Sequence, residues 1–306
     1  MDTRLSVEVA GLRFRNPFLL AAGILGITAG LLVRVERAGA GGVVTKTITR
    51  NPREGHENPV VYELECGLLN SMGLPNPGID YFVDEIARAK EVLSVPLIVS
   101  VGGSTPEEVA YVVRRAVEAG ADGVELNASC PHVERYGVEL LQDLELFEEV
   151  VERAKDSART KPLFVKLSAT GDLIKVAETA IEAGADGLVA VNTIRAMAVD
   201  VWAQRPVLGG IYGGLSGPAI RPIAVRCVYE LYEEFPDVPI VGVGGICKWE
   251  DVAEMLLAGA VAVQIGTAVA YRGLSIFEEL ALGISEYLDE LGLSSVRELV
   301  GRAHRG

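Results

Sequence analysis

EAGADGVELN (118–127) and EAGADGLVAVN (182–192) follow one pattern in this sequence. Each closes a helical stretch, turns on Ala-Gly-Ala and runs into apolar residues without polar alternation. The glycine supplies a left-handed helix cap, and a continuous apolar run suits a strand covered on both faces. ERAGAGGVVTKT (36–47) and LAGAVAVQIGT (257–267) repeat the pattern. Between the copies lie VPLIVSVGG (95–103), KPLFVKLS (161–168) and VPIVGVGGI (238–246), where a proline opens each strand. With NPFLLAAG (16–23) the strands number eight.

Helical periodicity fills the gaps. In TPEEVAYVVRRAVEAG (105–120), Thr105 caps, Pro106 takes the first turn and the apolar residues share a face. Eight strands alternating with helices in 306 residues predict an α/β fold, a (β/α)8 TIM barrel. No linker or low-complexity stretch interrupts it, so residues 1–306 are expected to form a single domain. LSVEVAGLRFRN (5–16) alternates with period two around Ala10-Gly11, predicting a short N-terminal β-hairpin under the barrel. Residues 192–218, after the sixth strand, exceed normal loop length and predict an extended functional loop.

A formal charge of −14 argues against a general partnership with nucleic acid or an anionic membrane. An anion could still bind through local lysines and backbone amides. Cys66, Cys130, Cys227 and Cys247 show no C-x-x-C spacing, so neither a disulfide framework, a zinc site nor an iron–sulfur cluster is expected on this chain. His56, His132 and His304 make no metal-ligand spacing either. MDTRLSVEVAG lacks the basic flank and apolar core of a signal peptide, and no apolar run is long enough to span a membrane. A cytoplasmic protein is expected.

Reacting groups of a (β/α)8 barrel sit where its strands end. Those ends read Ala22-Gly23, Thr45-Lys46-Thr47, Ser100, Asn127, Lys166, Asn192-Thr193, Gly244-Gly245 and Gly266-Thr267. Lysines facing inward need an anionic or electron-rich partner. The plain alternative is a barrel carboxylate, for which Glu125, one pleat below Asn127, is the sole candidate at these ends. The glycine turns GVGGICKWEDV and QIGTAVAYRG close strands seven and eight, where backbone N–H groups can approach a phosphate. YGGLSGPAIRP (212–222) adds a third, before a helix begun at Pro218. A phosphate, inward lysines and amide side chains without a metal fit flavin mononucleotide (FMN). A lysine near the ring would stabilise the charge gained on reduction.

NPFLLAAG, VTKTITRNPREG, LLNSMGLPNPGID, ELNASCPH, FVKLS, VNTIRAMAVD, GGLSGPAIRP, VGVGGI and VQIGTA, in this order and spacing, resemble the class 1 dihydroorotate dehydrogenases, most closely the NAD-linked class 1B enzymes. The resemblance runs from about Leu5 to Leu282. It implies oxidation of dihydroorotate to orotate over FMN in pyrimidine synthesis. Cys130 would be the base that removes the C5 proton while hydride leaves C6. Lys46, Asn70, the backbone through Ser71, Met72, Gly73 and Leu74, and Asn127, Asn192 and Thr193 would hold the substrate. Ala22, Lys46, Thr47, Asn127, Lys166, Val191, Gly217, Gly244, Gly245, Gly266 and Thr267 would line the flavin.

The chemistry of these side chains agrees. Amides donate and accept, matching the alternating N–H and C=O edge of a dihydropyrimidine. A lone cysteine is most often a packed small residue. Cys130, on a loop after Asn127, before Pro131 and a glycine-containing lid (133–138), is better placed as a reactive thiol. Cys66, Cys227 and Cys247 are expected only to pack. His132 departs from the family's usual Asn, so substrate contacts there are not carried over; its imidazole could also shift the Cys130 thiol. Class 1B implies a homodimer, or a heterotetramer with a subunit carrying FAD and an iron–sulfur cluster. A fumarate-linked class 1A enzyme, a flavin barrel for another reduced pyrimidine, and an inactive scaffold subunit are the alternatives.

Overall fold

The computed structural model describes residues 2–128 and 143–305. The chain opens with the hairpin β1 (Val7–Val9) and β2 (Leu12–Phe14), then β3 (Phe18–Leu20), α1 (Ala29–Arg37) and β4 (Gly42–Val44). There follow β5 (Val61–Leu64), β6 (Gly67–Asn70), α2 (Ile79–Val92), β7 (Leu97–Val101), α3 (Pro106–Glu118) and β8 (Gly123–Asn127). Next come α4 (Leu144–Ala158), β9 (Leu163–Leu167), α5 (Leu173–Glu182) and β10 (Gly187–Ala190). The long segment holds β11 (Ile194–Ala196), β12 (Val199–Asp200), β13 (Arg205–Pro206) and β14 (Gly213–Ser216). Then come α6 (Arg221–Glu234), β15 (Ile240–Val243), α7 (Trp249–Ala258), β16 (Ala262–Ile265), α8 (Thr267–Arg272) and α9 (Ile276–Leu291).

β3, β4, β7, β8, β9, β10, β15 and β16 close in that order into a parallel barrel. They are the eight strands expected from the repeat. β7 and β9 are buried along their whole length, as apolar strands between a packed interior and a helical shell must be. Gly39, Gly120, Gly184 and Gly259 of the four repeat turns all have positive φ, from +99° to +123°. Thr105 caps α3, its hydroxyl accepting from Glu108 N–H at 3.2 Å.

The repeat's aspartates do more than turn the chain. Asp122 accepts from Leu97 N–H at 2.8 Å and pairs with Lys90 at 2.6 Å. Asp186 does the same for Leu163 N–H at 2.7 Å and Lys155 at 2.6 Å. Each acid thus fastens the start of the preceding strand to a helix outside the barrel.

In the N-terminal hairpin, Ala10 (φ +47°) and Gly11 (φ +80°) form the tight turn, with both central residues left-handed. Phe14 lies against Gly42 and Leu12 against Gly123 at the strand starts, so the hairpin closes the lower end. At the upper end, residues 61–70 and 194–216 fold together into an antiparallel sheet ordered β11-β14-β6-β5. The extended segment after strand six is therefore partly sheet. The main core extends from Leu5 to Leu299, and Leu69, Val207 and Leu208 form a small one beneath the upper sheet. No helix among the described residues is long and apolar enough to cross a membrane.

Candidate active site

Between the barrel mouth and the upper sheet lies a cavity of about 390 Å³. That is within the usual range for small-molecule sites, roughly 300–1,000 Å³. Ala22, Lys46, Thr47, Asn127, Lys166, Val191, Gly217, Gly244, Gly245, Gly266 and Thr267 line it, as do Asn70, Met72, Gly73, Leu74, Asn192 and Thr193. Ser71 does not. It is fully buried, with its hydroxyl 2.9 Å from His56 Nδ1. Its side chain turns to His56, while Asn70 and Met72 on either side of it line the cavity. Cys130, His132 and residues 133–138 lie outside the described residues.

Strand ends position the amides. Asn127 closes β8 and its Nδ2 donates to Thr47 Oγ1 at 3.1 Å. Thr47 Oγ1 in turn lies 3.0 Å from Ser100 Oγ. Asn192 Nδ2 donates to Asn127 Oδ1 at 3.1 Å, and Asn192 Oδ1 accepts from Thr193 N–H at 2.8 Å. This chain of bonds fixes which way each amide points. Asn70 Nδ2 donates to Gly214 carbonyl at 3.2 Å, tying the two strands of the roof together.

Lys166 corrects part of the sequence expectation. Its ammonium lies 3.6 Å from Glu125 Oε1, with side chains 7% and 1% exposed, so a barrel carboxylate does face this lysine. Glu125 is the one carboxylate that the strand-end reading named as the plain alternative. Gln264 was missed altogether, although it stands out as the one polar residue in AVAVQIG. It is buried, lines the cavity floor and links the two: Nε2 donates to Glu125 Oε2 at 2.5 Å, and Oε1 accepts from Lys166 Nζ at 3.1 Å. Ser216 was also missed; it lines the wall and accepts from Thr267 Oγ1 at 2.8 Å.

The three glycine turns converge. Gly244 (φ +137°) and Gly245 (φ +74°) follow β15, and a Cβ on Gly245 would stand 2.9 Å from Gly217 carbonyl oxygen. A Cβ on Gly217 would touch Thr267 Cγ2 at 3.4 Å. A Cβ on Gly266 would meet only Ala21, at 3.4 Å, so it would enter open space. The backbone N–H groups of Gly244, Gly245, Gly266 and Thr267 have no acceptor among the described residues. Unused donors around a cradle without side chains suit a phosphate.

The roof is braced from behind. His56 N–H donates to Met72 carbonyl at 3.1 Å, and Gly73 (φ +71°) leaves no room for a Cβ beside the His56 ring. Asn76, buried, bonds Thr49 Oγ1 at 2.9 Å and accepts from Gly78 N–H at 3.0 Å, anchoring the loop base. Of the remaining cysteines, Cys66 is exposed, while burial pushes the Cys227 and Cys247 thiols up, away from reactivity.

Residues 4–288 match the family model described as dihydroorotate dehydrogenase. The chain belongs to the dihydroorotate dehydrogenase family. Among its relatives in this family, "Dihydroorotate dehydrogenase B (NAD(+)), catalytic subunit" of Pyrococcus abyssi is 49% identical over 300 residues, 98% of this chain and 99% of the relative. The protein so named from Methanocaldococcus jannaschii is 44% identical over 307 residues, 99% of each chain. A crystal structure of a dihydroorotate dehydrogenase from Eimeria tenella, in complex with ferulenol, superposes with a TM-score of 0.88 at 25% identity. It covers 100% of this chain and 90% of that one.

Proposed function

We propose that this chain is the catalytic subunit of a class 1B dihydroorotate dehydrogenase, oxidising dihydroorotate to orotate in pyrimidine synthesis. The observation that carries the proposal is the convergence on one cavity of three unlike groups. These are the bare glycine turns with unused N–H donors, the lysines Lys46 and Lys166, and the bonded amides Asn127 and Asn192. The near-full-length relatives named for the B type favour it over the fumarate-linked class.

The residues present fit FMN. Gly244, Gly245, Gly266 and Thr267 would hold its phosphate, and Ala22, Thr47, Val191 and Gly217 would border it. When bound, FMN supplies the acceptor for the hydride that leaves C6 of the substrate. Lys46 offers positive charge to the substrate carboxylate, and Asn70, Asn127, Asn192 and Thr193 match the N–H and C=O edge of the pyrimidine. Cys130 takes the C5 proton on sulfur. Loss of that proton and of the C6 hydride leaves the C5=C6 double bond of orotate.

The chain acts as one domain, since the main core runs nearly from end to end. It works as a homodimer or in a heterotetramer whose second subunit holds FAD and an iron–sulfur cluster and passes electrons to NAD. The name "catalytic subunit" carried by the relatives supports such a partner. Denaturing the pure protein and identifying the released chromophore tests the cofactor. One FMN per chain is expected; FAD, or no flavin from folded protein, contradicts the proposal.

A further inference from the structure

A buried charge below the cavity floor has no part in the chemistry above. Glu125, on β8, is fully buried, and its Oε1 is the one buried side-chain polar atom without a hydrogen-bond partner among the described residues. It stands 3.6 Å from Lys166 Nζ, beyond hydrogen-bond reach but close enough for a strong Coulomb interaction in a dry interior. The other oxygen accepts from Gln264 Nε2 at 2.5 Å, and Gln264 Oε1 accepts from Lys166 Nζ at 3.1 Å. An ionised carboxylate only accepts, so Gln264 must turn its NH2 to Glu125 and its carbonyl to the ammonium. The seat of Lys166 therefore follows from Glu125. An incompletely satisfied buried carboxylate costs stability, and apolar residues fill most inward barrel positions.

We propose that Glu125 is a positioning residue for Lys166. Through Gln264 it fixes the ammonium at the cavity wall and offsets part of its charge, which sets how readily a flavin bound there accepts electrons. This rests on the FMN proposal above. Uptake of two electrons and one proton leaves a flavin ring one charge more negative, and a nearby cation stabilises that form. Glu125 tempers the stabilisation, so that electrons can pass onward. Removing its charge takes one negative charge from beside Lys166 and makes reduction easier.

Reductive titration against reference dyes, without oxygen, gives the flavin midpoint potential of the purified chain and its variants. Glu125→Gln is expected to shift the equilibrium at least tenfold toward reduced flavin, about 30 mV upward for a two-electron couple. Glu125→Asp keeps the charge but draws it back by a methylene, so it shifts the same way by less. Lys166→Met and the double variant Glu125→Gln/Lys166→Met should differ less than threefold, because Glu125 acts on the flavin through Lys166. A wild-type potential in Glu125→Gln overturns the proposal, as does a tenfold difference between Lys166→Met and the double variant. If Glu125→Gln does not fold, Glu125→Asp decides: an upward shift supports the proposal, and no shift or a downward one overturns it. Wild-type protein without flavin would instead refute the FMN proposal and this one with it.

Discussion

Asn127 and Asn192 meet side chain to side chain across the barrel mouth, Nδ2 of Asn192 donating to Oδ1 of Asn127 at 3.1 Å. Asn127 spends its own Nδ2 on Thr47, and Asn192 spends Oδ1 on Thr193 N–H. Two strand ends on opposite sides of β9 thus share one oriented set of amides, which a ring with a fixed sequence of donors and acceptors can read.

Asn127→Ala should therefore damage binding and turnover together. Each hydrogen-bond partner left unmatched in a buried site costs about 1–3 kcal/mol, so kcat/KM should fall roughly 5- to 150-fold. Steady-state kinetics with dihydroorotate measures it. Unchanged kcat/KM would remove Asn127 from the substrate site.

Two glycines of the phosphate cradle should respond differently. Gly245→Ala places a Cβ 2.6 Å from Arg221 Cβ at φ +74°, so it should lower stability by about 1–3 kcal/mol. Gly266→Ala meets only Ala21, at 3.4 Å, so the fold should stand while the methyl crowds the phosphate. Thermal melts and flavin content after gel filtration separate the two. Full flavin retention by Gly266→Ala would place the phosphate elsewhere.

Cys130→Ala should keep its flavin spectrum and lose turnover. Removing a general base costs about 10²–10⁴-fold. Flavin reduction by dihydroorotate in wild type should rise with one ionisation, an ordinary thiol titrating near roughly pH 8.5. The alanine variant should lose that dependence along with its rate. Reduction within a few-fold of wild type would make Cys130 a packing residue and His132 the next candidate base.

The barrel was legible because its signals are local. Each strand carries its own opening proline or Ala-Gly-Ala turn, and each helix its own face. The upper sheet was not, because β6 gains its pairing from β14, with Asn70 and Gly214 144 residues apart. Val61, Tyr62 and Glu63 of β5 are exposed, so no burial pattern marks that strand. Cavity residues such as Asn127, Lys166 and Gly245 could be named in advance because they end barrel strands, whereas Asn70, Met72, Leu74 and Gly217 came only with the family resemblance. The link from Gln264 to Glu125 spans 139 residues across the barrel, and only closure of the strands brings the two together. The turn of the Ser71 side chain toward His56 was equally hidden, because a contiguous motif does not show which way each of its side chains points.

Electron transfer beyond the flavin should need a second protein. The isolated chain should reduce artificial dyes with dihydroorotate while using NAD poorly. Efficient NAD reduction by this chain alone would overturn the partner proposal, and rapid fumarate turnover would place the chain in class 1A.

The most direct test mixes the purified chain anaerobically with dihydroorotate and follows flavin absorbance and orotate together. The account predicts bleaching in a single turnover, with one orotate formed per flavin reduced and no other subunit present. Flavin that stays oxidised in the presence of dihydroorotate, with folded protein and FMN in place, would contradict it.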